Sequence, residues 1–175
     1  MTYNPEKEVT KVWKTLQAAQ KDIPIVWYRW RKAAVELLGP NADPMQAGMK
    51  AAEVYGDELG HSFLARLNWL KGEEGFLKGL CGNIMGEWTK QGALLEVRPG
   101  EKPFEAYIVW TRCPWPTYCS QYGVDMEEDV LTCDAILQNL LLPVNKFFGV
   151  NYQIETLKAI PRGQGECLRR LYKVE

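Results

Sequence analysis

The sequence lacks the features that identify several common classes of protein. Its 175 residues include 21 basic and 22 acidic side chains, so no excess positive charge is available to bind a nucleic-acid backbone. No stretch reaches the ~18 uninterrupted apolar residues that a membrane-spanning helix requires. The opening "MTYNPEKEVTKVW" has no apolar segment of the kind found in secretion signals. We therefore expect a cytoplasmic protein that binds neither nucleic acid nor a membrane.

Cysteine and histidine do not form recognisable disulfide or metal motifs. Five cysteines are an odd number, and without a secretion signal a disulfide framework is not expected. No two cysteines lie two to four residues apart, as they do in structural zinc knuckles, so we expect neither a metal nor another cofactor. One alternative stays open, which is a metal held by distant residues such as the single histidine, His61, with Cys113, Cys119 or Cys133.

What the sequence does contain is an ordinary globular composition. Hydrophobic residues make up 46% and charged residues 25% of the chain, which is long enough to bury a sizeable core. We assign residues 1–175 to a single domain. Within it, residues 1–42 form an N-terminal helical extension and residues 43–175 form the core.

Helix signals fill the first half of the chain. Caps and prolines predict helices at about 4–20, 24–38, 44–70 and 71–92, with the asparagine–proline and aspartate–proline pairs at their starts. Glycines four residues apart share a helix face and predict a close approach by another backbone or by a ligand, with tight helix packing as the favoured interpretation. These pairs are Gly56 and Gly60, Gly75 and Gly79, and Gly82 and Gly86.

Strand signals begin at Ala93. "ALLEVR" and "FEAYIVWT" predict a hairpin, and "NYQIETLKAI" and "ECLRRLYKV" predict two closing strands. Between the two pairs, "CPWPTYCSQYG" is an irregular loop or a short helix, and Asp125 caps a helix that we expect to break near Pro143. The order predicts an α+β fold, with N-terminal helices followed by an antiparallel sheet of about four strands and one inserted helix.

The segment "TRCPWPTYC" contains the first candidate for a reactive group. Pro114 keeps Cys113 out of helical geometry and places its sulfur at a strand end, where site residues concentrate. Because a nearby cation lowers the pKa of a thiol, Arg112 makes Cys113 a candidate nucleophile. The alternative is that Cys113, like the other cysteines, is a small buried apolar residue.

Two further residues are candidates for acid–base chemistry. His61 has Asp57 and Glu58 close by in sequence, either of which could fix its tautomer, although a single helical histidine is more often a surface or core residue. Asp134 lies among apolar residues, so it either points outward or is buried with a partner, for which Arg112 is the natural candidate.

Taken together, "TRCPWPTYC", "LTCDAI" and "IPRGQGECLRRL" resemble the L-2-amino-thiazoline-4-carboxylic acid hydrolase-like family. The glycine-rich helices and "GALLEVR" are similar to the related vinyl-reductase-type small-molecule-binding domains. The resemblance covers roughly Gly56 to Val174. The family separates its cysteine and aspartate by two residues, whereas Cys133 and Asp134 are adjacent here.

The resemblance implies a hydrolase that opens a small cyclic amidine or thiazoline ring at a C–N or C–S bond. Such a reaction needs a nucleophile, a proton donor and a cation for a substrate carboxylate. Cys113 is then the nucleophile or its activator, Asp134 or His61 the acid and base, and Arg112 the group that holds the carboxylate. The substrate-binding set is completed by Trp115, Cys119 and Cys133.

Two other functions remain open. One is a binding module of the vinyl-reductase type that holds a small apolar or aromatic ligand unchanged, which the seven tryptophans would suit. The other, less favoured, is a redox or metal sensor that uses several cysteines. The N-terminal helices, with Trp13, Trp27 and Trp30, are also a candidate surface for a homodimer.

Overall fold

The computed structural model describes residues 5–67 and 72–174, in which helices come first and a sheet follows. The helices are α1 (Pro5–Leu38), α2 (Pro44–Leu64), α3 (Gly72–Lys90), α4 (Trp115–Gln121) and α5 (Met126–Phe148). The strands are β1 (Leu94–Pro99), β2 (Glu105–Arg112), β3 (Tyr152–Lys158) and β4 (Cys167–Lys173). Across both described ranges, no helix is long and apolar enough to span a bilayer.

The four strands form one antiparallel sheet in the order β1-β2-β4-β3. The predicted α+β class is therefore confirmed, with α5 inserted between the two strand pairs. The segment predicted to be an irregular loop or a short helix forms the short helix α4. A single 3₁₀ turn, Ile160–Arg162, lies in the connection from β3 to β4.

The core lies between the helices and the inner face of the sheet. In β4, Cys167, Arg169 and Leu171 are buried while the residues between them are only partly buried, as expected when successive side chains point to opposite faces. The register pairs Trp110 of β2 with Cys167, and Ile108 with Arg169. An arginine therefore lies on the apolar face of a central strand.

Helices α2 and α5 are packed almost backbone to backbone. A Cβ atom added at Gly56 would lie 2.5 Å from the carbonyl oxygen of Ile136, and one at Gly60 would overlap the carbonyl of Leu140. The favoured interpretation of the first glycine pair, tight helix packing, is confirmed. At Gly82 and Gly86 the same added atom meets nothing within 4 Å, so this pair serves no close contact.

The two predicted capping aspartates are confirmed. Asp43 accepts a hydrogen bond from the Met45 amide at 2.9 Å, and Asp125 accepts one from the Glu127 amide at 2.8 Å. The helix predicted to reach Leu70 ends at Leu64. Asn4, the predicted first cap, and Leu70 lie outside the described residues.

Two predicted helix breaks at proline are wrong. Helix α1 continues through Pro24, and α5 continues through Pro143 to Phe148. Proline removes one helical hydrogen bond and crowds the preceding turn, but both prolines are buried and held by tertiary packing. The Pro143 ring lies against Gly60, which has no side chain to obstruct it.

Replacing Gly60 with alanine should lower the free energy of unfolding by at least about 2 kcal/mol, because the new methyl group forces α2 and α5 apart. The matched control is Gly82→Ala, also within a helix but exposed, which should raise the free energy by about 0.5–1 kcal/mol through helix propensity. Urea denaturation followed by circular dichroism measures both. Equal effects of the two substitutions would contradict the packing role of Gly60.

Candidate functional site

A cavity of about 400 Å³ lies between the helices and the inner face of the sheet. Its walls come from α1, α2, α3, α4, α5, β2, β4 and the loops that join them. The lining residues are Ile23, Val26, Trp27, Trp30, Ala51, Tyr55, Trp88, Gln91, Trp110, Cys113, Trp115, Pro116, Asp129, Val130, Thr132, Cys133, Ile136, Ala159, Pro161, Cys167 and Arg169.

Aromatic side chains dominate the lining, with five of the seven tryptophans of the chain. Trp27 meets Trp115 edge-on with ring centroids 6.1 Å apart, and Trp88 meets Trp110 in the same way at 5.9 Å. The Trp115 indole N–H donates to the Gln91 side chain at 2.9 Å. Edge-to-face pairs of this kind are favourable, so the rings form two aromatic pairs in the cavity wall.

An ion pair attaches α1 to the rest of the cavity wall. The Arg31 guanidinium donates two hydrogen bonds of 2.5 Å to the two carboxylate oxygens of Glu128 on α5. Gly48 of α2 makes room for this pair, because a Cβ there would lie 2.7 Å from a Glu128 oxygen. The pair holds the segment of α1 that carries Trp27 and Trp30 over the cavity.

Two charged groups face the cavity, Asp129 of α5 and Arg169 of β4. Burial raises the pKa of the Asp129 carboxyl to about 6, although Arg169 and the Tyr28 hydroxyl, which donates at 3.4 Å, act in the opposite direction. Burial also raises the pKa of Tyr28, so this hydroxyl keeps its proton. Arg169 donates to Asp134 at 3.4 Å, while its buried Nε has no hydrogen-bond partner.

Three thiols line the same cavity, those of Cys113, Cys133 and Cys167. Burial raises the pKa of Cys133 to about 12 and also raises the pKa of Cys113 above its ordinary value. The predicted lowering of the Cys113 pKa is therefore wrong. The Cys167 sulfur accepts a hydrogen bond from the Ile160 amide at 3.1 Å.

The structure brings only part of the predicted site together. Cys113, Trp115 and Cys133 line the cavity, but Arg112 is exposed and donates to the Gly92 carbonyl at 3.4 Å. Cys119 is buried in α4 outside the cavity lining, and its thiol lies 3.3 Å from the Asp125 carbonyl oxygen. Burial raises the pKa of Cys119 to about 11.

The predicted acid–base residues are not beside Cys113. His61 is exposed on α2, 3.8 Å from Asp57, and is not part of the cavity wall. Asp134 accepts hydrogen bonds from Thr156 at 2.6 Å and from Arg169, so its partner is not Arg112 as predicted. Among residues 5–67 and 72–174, no cluster of three or more His, Cys, Asp or Glu side chains could hold a metal ion.

Among the acidic, basic and thiol side chains that line the cavity, Asp129, Cys167 and Arg169 were not predicted as site residues. The alternation in "ECLRRLYK" already places Cys167, Arg169 and Leu171 on one strand face. An arginine on such an otherwise apolar face is a sequence signal of a charged group directed toward the core. Asp129 precedes Cys133 by four residues, which puts both on one face of α5.

Comparisons with known proteins show the fold and not the family. No model of a known protein family matches the chain, and no curated protein matches it. Among solved structures, the chain is similar to a trafficking protein particle complex subunit 3 from Naegleria fowleri covalently bound to palmitic acid. The TM-score is 0.55 at 14% identity, covering 89% of this chain and 97% of that chain. The resemblance to the thiazoline hydrolase-like family stays a prediction.

Substituting Asp129 with asparagine should stabilise the protein at neutral pH more than at acidic pH. A carboxyl whose pKa rises from 3.8 to about 6 on folding stabilises the fold at low pH, and this contribution is lost as the pH rises through that interval. Asparagine cannot ionise, so the gain relative to the parent should grow by about 2 kcal/mol between roughly pH 4 and pH 7.

Urea denaturation of both proteins across this pH range gives the measurement, because other carboxyl groups cancel in the difference. A difference that does not change with pH would show that Asp129 ionises as easily in the folded protein as in the unfolded chain.

Proposed function

We propose that this protein binds a small, largely apolar molecule in the aromatic cavity. The observation that carries the proposal is the size and lining of that cavity, about 400 Å³ with five tryptophans and few polar groups. Protein interiors are close-packed, with few gaps larger than a water molecule. Ligand sites, by contrast, are concave and mostly apolar, with a small number of polar groups that orient the ligand.

The solved structure with the same fold supports this proposal. In that structure, the trafficking complex subunit is covalently bound to palmitic acid. One protein with this architecture therefore holds an apolar molecule. This support concerns only the ability of the fold to hold an apolar molecule. At 14% identity, no residue role can be transferred from that chain to this one.

The chemistry of the cavity favours binding over catalysis. The thiolate is the reactive form of cysteine, and burial raises the pKa of both Cys113 and Cys133. His61 lies on the surface, outside the cavity lining. A binding module of the vinyl-reductase type requires neither a thiolate nor a histidine.

A hydrolase remains the second proposal, because Cys113 and the Asp129 carboxyl line the same cavity. Asp129 would then take the acid–base role that the resemblance implies for Asp134 or His61. Incubation with 2-amino-thiazoline-4-carboxylate should release a free thiol if the ring C–S bond breaks or a free primary amine if the ring C–N bond breaks, and Cys113→Ser should abolish the release. Full activity of the serine variant, or release of neither group by the parent, would remove this proposal.

A bulky substitution in the cavity wall should block binding. We expect the neutral fluorophore N-phenyl-1-naphthylamine to bind with increased emission, and Ala51→Phe on α2 to weaken binding by at least about tenfold by filling the cavity. The control is Ala47→Phe, one turn earlier on α2 and outside the lining. Fluorescence titration measures all three proteins, and equal affinities for the two variants would contradict the proposal.

The homodimer also remains a proposal, and one stripe of α1 favours it. Val9, Val12, Trp13 and Leu16 are spaced at helical intervals and are between 42% and 69% exposed. Of the other two predicted residues, Trp27 lines the cavity, and Trp30 lines it while remaining 50% exposed. Trp13→Glu should turn a dimer into a monomer, since it places a charge on that stripe. Sedimentation equilibrium of both proteins tests this, and a monomeric parent would show the prediction to be wrong.

A further inference from the structure

We propose that the molecule bound in the cavity carries a carboxylate and that Arg169 holds this group. The inference rests on the proposed function, because it names the chemical class of the ligand. The apolar part of that ligand would lie against the tryptophans, and the carboxylate would lie at the inner face of the sheet.

The pairing of Arg169 is incomplete for a buried cation. The residue is only 2% exposed, and transferring an unpaired charge into a protein interior is strongly unfavourable. Its guanidinium has five N–H donors. One terminal nitrogen donates to Asp134 at 3.4 Å, the Nε has no partner, and the carbon at the centre of the group lies 4.7 Å from the centre of the Trp110 ring.

Other arginines of the described chain are better paired although they are less buried. Arg31 and Arg162 each make a two-pronged bond to a glutamate, and Arg170 contacts both Glu105 and Glu155. The exposed fraction of the side chain is 14% for Arg31, 43% for Arg162 and 27% for Arg170, against 3% for Arg169. The most buried of the four therefore has the weakest pairing.

The position of Arg169 in the sheet places its incompletely paired guanidinium at the cavity. Its register neighbours are Ile108 on β2 and Thr156 on β3, so it lies on a central strand, and it is part of the cavity lining. A planar guanidinium binds a carboxylate through two parallel hydrogen bonds. A ligand carboxylate would supply the acceptors that Arg169 lacks.

Two carboxyl groups of the protein lie near Arg169, and neither completes its pairing. Asp134 does not line the cavity and already accepts a 2.6 Å bond from Thr156. Asp129 lines the cavity, but its hydrogen bond is with Tyr28, and no ion pair joins it to Arg169 within the described residues. Because burial raises the pKa of Asp129 to about 6, binding is best measured at about pH 5.5, where this carboxyl is mostly protonated.

Matched acids and amides separate the carboxylate from the apolar part of the ligand. We would titrate 2-naphthoate and 2-naphthamide, and decanoate and decanamide, against the parent, Arg169→Gln and Arg170→Gln by calorimetry. The parent should bind at least one acid about ten- to a hundredfold more tightly than its amide, which is the range for hydrogen bonds to a charged group. Arg169→Gln should lose this preference but keep amide binding. Arg170 is adjacent in sequence but faces away from the cavity, so Arg170→Gln should keep the preference for the acid.

Each alternative outcome identifies which proposal fails. Equal binding of acid and amide by the parent, or a preference that survives Arg169→Gln, would overturn the role of Arg169 and leave the apolar site standing. Binding of N-phenyl-1-naphthylamine without binding of any of the four acids and amides would also overturn the role of Arg169 and leave the apolar site standing. If no compound binds, the proposed function itself fails.

A variant that keeps the charge covers the case in which Arg169→Gln does not fold. Arg169→Lys retains the cation without the two-pronged geometry, so it should prefer the acid by a smaller factor than the parent. An undiminished preference in this variant would contradict the two-pronged contact.

Discussion

The cavity depends on the ion pair between Arg31 and Glu128. Apart from this contact and the buried Pro24 and Tyr28, α1 has little buried surface, and much of its length is exposed. Glu128 is buried, so removing Arg31 would leave an uncompensated charge, at a cost of about 3–5 kcal/mol. The pair therefore acts together with the ring contacts of Trp27 and Tyr28 with Trp115 to hold α1 against the cavity.

Local signals predicted most of the fold, because they act over a few residues. Capping aspartates, alternating strands and turn residues determined the α+β class and the insertion of α5. The two errors at Pro24 and Pro143 have a common cause. Local preference disfavours proline inside a helix, but both prolines are buried by tertiary contacts that the sequence does not display.

The candidate site was harder to predict, because its chemistry depends on which side chains are buried and on where they point. Cys113 was placed correctly, directly after the last residue of β2, yet Arg112 does not share its surroundings, since Arg112 is exposed and donates to the Gly92 carbonyl while Cys113 lines the cavity. The direction of the pKa shift at Cys113 is determined by desolvation, which follows from packing that is distant in sequence. Arg169 could have been recognised from the alternation of β4, but its incomplete pairing required the structure.

The alternation of β4 leaves the adjacent Arg169 and Arg170 on opposite faces of the sheet, one at the cavity and one beside Glu105 and Glu155. A slip of one residue reverses the two faces of a strand. Such a slip would still leave one arginine on each face, so the two charges alone would not distinguish the alignments. The burial of Cys167 and Leu171 on the inner face therefore selects the register of this central strand.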